Sequence, residues 1–206
     1  LSARAWPSGR PPEKGDTAMN ILCIGDVVGS VGCQFLRQRL PSLKKLKSVD
    51  LVIANGENSA DGNGLTPASA GYLFHSGVDV ITTGNHAFRR RESYALYEEH
   101  PYVLRPANFP EGTTPVYLES LDCPFRTADR ILAEPDRPKI TVVDFHAEAT
   151  GEKRSMGFYL DGRVSSLFGT HTHVQTADET ILPRGTGYLT DAGMTGPIDS
   201  VLGVKK

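Results

Sequence analysis

Short, nearly continuous apolar runs alternate with longer stretches of helical periodicity along this chain. Residues 20–24 (NILCI), 51–54 (LVIA), 78–83, 140–145 (ITVVDF) and 164–168 each read as a strand buried on both faces. Between them, apolar residues at 35, 36, 40, 43 and 46 mark a helix over 33–46, and Thr66 can cap another. Further helices are predicted at 92–99, 127–133 and 151–159, and 179–189 reads as a hairpin turning at 183–187. The stretch 101–115 is rich in proline and reads as irregular. Strands alternating with helices predict an α/β fold, a layered and largely parallel β-sheet core flanked by helices. In such sheets ligands gather at the carboxyl ends of the strands.

Residues able to bind metal fall at those ends. Gly25-Asp26 follows the first strand, Asn55-Gly56-Glu57-Asn58 the second and Gly84-Asn85-His86 the third. His146-Ala147-Glu148 follows the fourth, and Gly169-Thr170-His171-Thr172-His173 ends the fifth. If that strand runs on to residue 174, His171 and His173 share a face, because side chains alternate in a strand. Each residue also has an ordinary reading. Asp26 could cap the next helix, Glu57 and Asn58 could be turn residues, and His86 could be structural. The glycines at 25–32 form no phosphate loop, since no lysine follows them in the required place. Five consecutive strand ends bearing such side chains are nevertheless hard to obtain by chance. Asp144 and Asp191 read either as solvated or as acceptors orienting a metal-binding imidazole. His75 and His100 read as structural or surface residues. Arg105 and Asn108, in RPANFP, are candidate substrate contacts, with loop packing as the rival reading.

Composition narrows the setting. The 206 residues carry 39% hydrophobic and 22% charged side chains and a net charge of −2, typical of one globular domain with no basic field for nucleic acid. Residues 1–18, rich in Pro, Gly, Arg and Ser, read as an extension or remnant ahead of a domain spanning 19–206. Cys23, Cys33 and Cys123 are odd in number and show no CxxC spacing, which suits a reducing cytoplasm and excludes a thiolate metal site. No apolar run approaches the roughly 20 residues of a membrane-spanning helix.

Carboxylate, amide and imidazole donors without sulfur suit Fe or Mn, with Zn as an alternative. Asp26, Glu57, Asn58, Asn85, His86, His146, His171 and His173 offer some seven donors, too many for one tetrahedral zinc. They suit two ions about 3.5–4 Å apart, bridged by a carboxylate and a hydroxide. Such a pair would outweigh Asp26, Glu57 and the hydroxide by about one positive charge and draw in a phosphate.

The blocks GD at 25–26, NGEN at 55–58, GNH at 84–86, DFHAE at 144–148 and GTHTHV at 169–174 resemble, in order, those of the calcineurin-like metallophosphoesterases. With RPANFP and TDAGMTGP, the chain is similar to their bacterial YmdB-type branch, the 2′,3′-cyclic-nucleotide phosphodiesterases. The resemblance implies that Asp26, Glu57 and His173 hold one ion and that Glu57, Asn85, His146 and His171 hold the other. Glu57 would bridge the two, Asn58 would lie at the same centre, and His86 would protonate the leaving oxygen. Val28 stands where the wider superfamily has a histidine, and Glu57 where it has an aspartate; both are marks of this branch. Members also carry a longer segment around 114–117 and continue beyond Val204, so either segments lie outside this sequence or the sheet has lost an edge. The expected activity is hydrolysis of 2′,3′-cyclic, and also 3′,5′-cyclic, nucleotides, with homo-oligomers a further expectation. The alternatives are a phosphomonoesterase or RNA-end phosphatase on the same centre, and a non-catalytic, metal-stabilised nucleotide-binding regulator.

Overall fold

The computed structural model describes residues 18–110 and 121–204. Nearly all of the expected N-terminal extension, and the shortened connection at 114–117, lie outside the described residues. The chain runs β1 (Ile21–Ile24), β2 (Asp26–Val27), α1 (Gly29–Leu46), β3 (Leu51–Asn55), α2 (Pro67–Ser76) and β4 (Val80–Thr82). A 3-10 turn (Arg91–Ser93) leads into α3 (Tyr94–Glu99), β5 (Val103–Leu104) and α4 (Pro124–Leu132). Then come β6 (Val142–His146), α5 (Thr150–Leu160), β7 (Ser166–Thr170), β8 (Thr180–Ile181), β9 (Gly187–Leu189) and β10 (Met194–Thr195).

The result is a mixed α/β fold with two four-stranded sheets where one was expected. The first, ordered β1-β3-β4-β5, is wholly parallel. The second, ordered β6-β7-β9-β8, is parallel except for β8, which pairs antiparallel with β9 in the hairpin that the sequence predicts. Each sheet has its own core. Leu36 and Leu40 of α1 and Leu73 of α2 pack with Val52, Ala54 and Ile81 of the first sheet. Met156 and Leu160 of α5 pack with Leu167 and Tyr188 of the second, joined by Phe125 and Leu132 of α4. A two-stranded parallel ladder, β2 with β10, ties the start of the chain to its end.

Local chemistry explains where these elements begin. Thr66 caps α2 as expected, accepting from the Ser69 N–H at 3.2 Å while the Ser69 hydroxyl accepts from the Thr66 N–H at 3.0 Å. Helix α1 starts four residues before the predicted position 33. Its Gly32 is there for closeness and not for looseness, since a Cβ would lie 2.1 Å from the Thr195 carbonyl oxygen. Helix α4 also begins early, at Pro124, a residue whose fixed φ and missing N–H suit the first helical position. Strand β5 lies inside the proline-rich stretch read as irregular, and its two residues are too few to leave a pattern. Among the described residues, no helix is long and apolar enough to cross a membrane.

Candidate metal centre

The strand ends converge as the pattern predicts. Asp26 opens β2, Glu57 and Asn58 follow β3, Asn85 and His86 follow β4, His146 closes β6, and His171 and His173 follow β7. The first five come from the first-sheet side of the chain and the last three from the second. Two features bring the sides together. Thr82 of β4 donates its hydroxyl to Asp144 of β6 at 2.5 Å. Gly84 leaves room for an imidazole, since a Cβ there would sit 2.1 Å from the His146 ring.

One group gathers around His146. Its Nε2 lies 3.0 Å from Glu57 Oε1, 2.9 Å from Asn85 Oδ1 and 3.0 Å from His171 Nδ1. Glu57, His146 and His171 thereby form a set able to hold a metal ion. The outer nitrogens show which atoms carry protons. The Thr170 hydroxyl donates to Asp144 at 2.7 Å, so it accepts from His146 Nδ1 at 2.9 Å. His171 Nε2 meets the Glu148 carboxylate at 2.8 Å. His146 Nε2 therefore sits among three atoms able to accept, Glu57 Oε1, Asn85 Oδ1 and His171 Nδ1. Three acceptors about 3 Å from one nitrogen suit a proton on that nitrogen or a cation among the four atoms, and ligands 2.0–2.2 Å from a common ion lie about this far apart.

A second group adjoins the first. Asp26 Oδ1 lies 3.3 Å from His173 Nε2 and accepts from Asn58 Nδ2 at 3.1 Å. Asn58 Nδ2 is also 3.3 Å from His173 Nε2, while the outer Nδ1 of His173 donates to the Leu202 carbonyl at 2.9 Å. The Asn58 amide nitrogen thus lies against both candidate ligand atoms, Asp26 Oδ1 and His173 Nε2. His171 N–H donates to Asp26 Oδ2 at 3.1 Å and links the groups. Between them stands half-buried His86, with Nδ1 2.8 Å from Asn58 Oδ1 and its backbone N–H on Glu57 Oε2 at 3.0 Å.

The electrostatics follow from this crowding. Burial opposes charge on Asp26 and Glu57, yet His173 and His146 beside them hold both carboxyls below their usual range. The hydrogen bond to Asp26 raises His173, and Glu57 together with Asp26 raises His146 in spite of its burial. Burial lowers His86, with Arg89 adding to the effect. Burial pushes Asp144 up to about 6 despite its two hydroxyl donors.

The family description "YmdB-like protein" matches residues 22–117 and 113–206, together nearly the whole chain. The chain belongs to the YmdB-like family. The two matched stretches overlap at 113–117, where a shorter connection than in other members was expected. A Bacillus subtilis (strain 168) relative named 2′,3′-cyclic-nucleotide 2′-phosphodiesterase is 45% identical over 91% of this chain and 80% of its own length. Two crystal structures resemble the fold, each with a TM-score of 0.84. One is a hypothetical protein from Thermus thermophilus, 42% identical over 91% of this chain and 81% of its own. The other, described as a novel phosphatase from Mycoplasma pneumoniae, is 32% identical over 91% of this chain and 76% of its own.

Other expectations for this YmdB-like chain fare differently. The strand ends at Thr170, and His171 and His173 both adopt left-handed backbone, with φ of 105° and 62°. Their rings do not share a strand face; each serves a different group. Arg105 donates to the Phe109 carbonyl at 3.1 Å and Asn108 to the Asp122 carbonyl at 3.3 Å, the loop packing weighed against a substrate role. Asp144 reaches His146 by hydrogen bond through Thr170 and by its charge directly, and Asp191 holds Thr172 where an imidazole was expected. His75 is structural, its Nδ1 bonded to the Gly71 carbonyl at 2.6 Å. The sequence reading passes over Glu148 as a partner of His171; its place in DFHAE, two residues past His146, was the available signal.

Proposed function

We propose that this chain is a dinuclear-metal-dependent phosphodiesterase acting on 2′,3′-cyclic nucleotides, and on 3′,5′-cyclic nucleotides as a second substrate. The observation that supports the reading is the gathering of Glu57, Asn85 and His171 around His146 Nε2, with Asp26, Asn58 and His173 beside it. The B. subtilis relative's name supplies the substrate class. Asp26, Glu57 and His173 would hold one ion, with Asn58 adjoining. Glu57, Asn85, His146 and His171 would hold the other, Fe or Mn in preference to Zn. Bound there, the pair supplies a hydroxide nucleophile at neutral pH and neutralises charge on the phosphate.

The protein's own groups do the rest. Thr170 and Asp144, Glu148 and the Leu202 carbonyl fix the three imidazoles by their outer nitrogens. Asn58 Oδ1 holds the Nδ1 proton of His86, so in the doubly protonated ring Nε2 is the nitrogen that gives its proton to the departing ribose oxygen, leaving the ring neutral. Free thiols at Cys23, Cys33 and Cys123 support placement in the reducing cytoplasm.

The test joins metal analysis of the purified protein to a panel of 2′,3′-cyclic nucleotides, 3′,5′-cyclic nucleotides and phosphomonoesters. Transition metal near two equivalents and preferential cleavage of the 2′,3′-cyclic substrates are expected. Metal-free protein, or preference for monoesters, would sink the assignment.

A further inference from the structure

A buried ion pair that takes no part in this chemistry lies behind the histidine loop. Lys153 on α5 and Asp191 just past β9 are both buried, and Lys153 Nζ meets Asp191 Oδ2 at 2.6 Å. The same oxygen accepts from the Thr172 hydroxyl at 2.8 Å and the Thr172 N–H at 3.3 Å. The other oxygen accepts from the Gly193 N–H at 2.7 Å. Thr172 stands between His171 and His173, and the Gly193 carbonyl accepts from the Asp26 N–H at 3.0 Å. One carboxylate therefore anchors the backbone on which three of the candidate ligands hang.

The residue types are demanding. Four donors reach this carboxylate, three at Oδ2 and one at Oδ1, and an amide or a hydroxyl, with one acceptor oxygen, could not accept from both sides. An ionised carboxylate in the interior needs a countercharge, which Lys153 supplies. Buried ion pairs add little net stability, and fixing one local arrangement is their better-attested use. Such an arrangement is needed here. Left-handed backbone at two consecutive-but-one histidines is strained and persists only where the surroundings over-determine it.

We propose that the Lys153–Asp191 pair is a positioning device that, through Thr172 and Gly193, holds His171, His173 and Asp26 in the arrangement the metal centre requires. This rests on the metal-centre reading above. The probe is Mn2+ binding to metal-free protein by calorimetry, with the metal-free thermal midpoint measured alongside. Thr172→Val removes one donor and leaves the ion pair intact; it should weaken Mn2+ about 10- to 100-fold, the range seen when partners behind metal ligands are lost, with the midpoint unmoved. Thr172→Ser should restore the parent's affinity. The double variant Lys153→Met/Asp191→Leu removes both charges together and should weaken binding at least as much while remaining folded by circular dichroism. Parent-like Mn2+ affinity in Thr172→Val, or in the double variant where it folds, overturns the proposal, and Thr172→Val decides alone if the double variant does not fold. A parent that binds no Mn2+ instead removes the metal centre itself, and this role with it.

Discussion

His86 differs from the other histidines in the company it keeps. Its Nδ1 faces the Asn58 carbonyl oxygen, and its ring lies beside both groups of candidate ligands without belonging to either. His86→Ala should therefore keep the parent's metal content while kcat falls by roughly 10²–10⁴, the usual worth of a positioned general acid. Parent-like turnover of a cyclic nucleotide would assign the proton to another donor. Asp144 gives a prediction about pH. A carboxyl whose folded pKa is raised to about 6 favours the fold below its unfolded value, and loses that contribution as pH climbs through 6. In metal-free protein, the stability of the parent relative to Asp144→Asn should fall by roughly 2 kcal/mol between pH 4 and pH 7, read from urea unfolding. A flat difference would mean that the carboxyl is ionised throughout.

At the scale of elements, the long apolar strands, the capped helix after Thr66 and the closing hairpin were legible because each rests on local pattern. So was the gathering of the candidate ligands at strand ends, which follows from topology alone. What escaped was set by neighbours distant in sequence. The glycines at 25–32 read as a loop, yet Gly32 lies in α1 and is required by Thr195, some 160 positions away. The histidine pair was expected on one strand face, but the strand stops at Thr170 and both histidines adopt left-handed backbone. Nothing near residue 172 announces Lys153 or Asp191. Glycines make the distinction measurable. A Cβ at Gly169 would lie 1.9 Å from the Thr190 carbonyl oxygen and 2.9 Å from the Lys153 stem, so Gly169→Ala should destabilise by roughly 3 kcal/mol. Gly71, inside α2, has nothing within 4 Å of such a Cβ, and Gly71→Ala should stabilise by about 0.5–1 kcal/mol. Urea denaturation of the two variants checks both signs.

For the whole molecule, the consequence lies in which parts the centre joins. The two sheets keep separate hydrophobic cores, and the candidate ligands are divided between them: Asp26, Glu57, Asn58 and Asn85 from one side, His146, His171 and His173 from the other. Without a cation, the carboxylates are held ionised by imidazoles whose own charging burial opposes, an uneasy balance of partly protonated rings. Ions bound between the two sides would replace that balance with bonds joining the separate cores. A ligand that binds only the folded state adds about 2.7 kcal/mol at a hundredfold excess over its Kd, which in a protein of this size corresponds to about 5–10 °C in Tm. Saturating Mn2+ should therefore raise the thermal midpoint of chelator-treated protein by about that much. The added stability should vanish in His146→Ala, which removes the imidazole at the middle of the larger group. A midpoint indifferent to both chelator and Mn2+ would mean that no ion links the two sheets, and the lone pairs gathered around His146 would need another explanation.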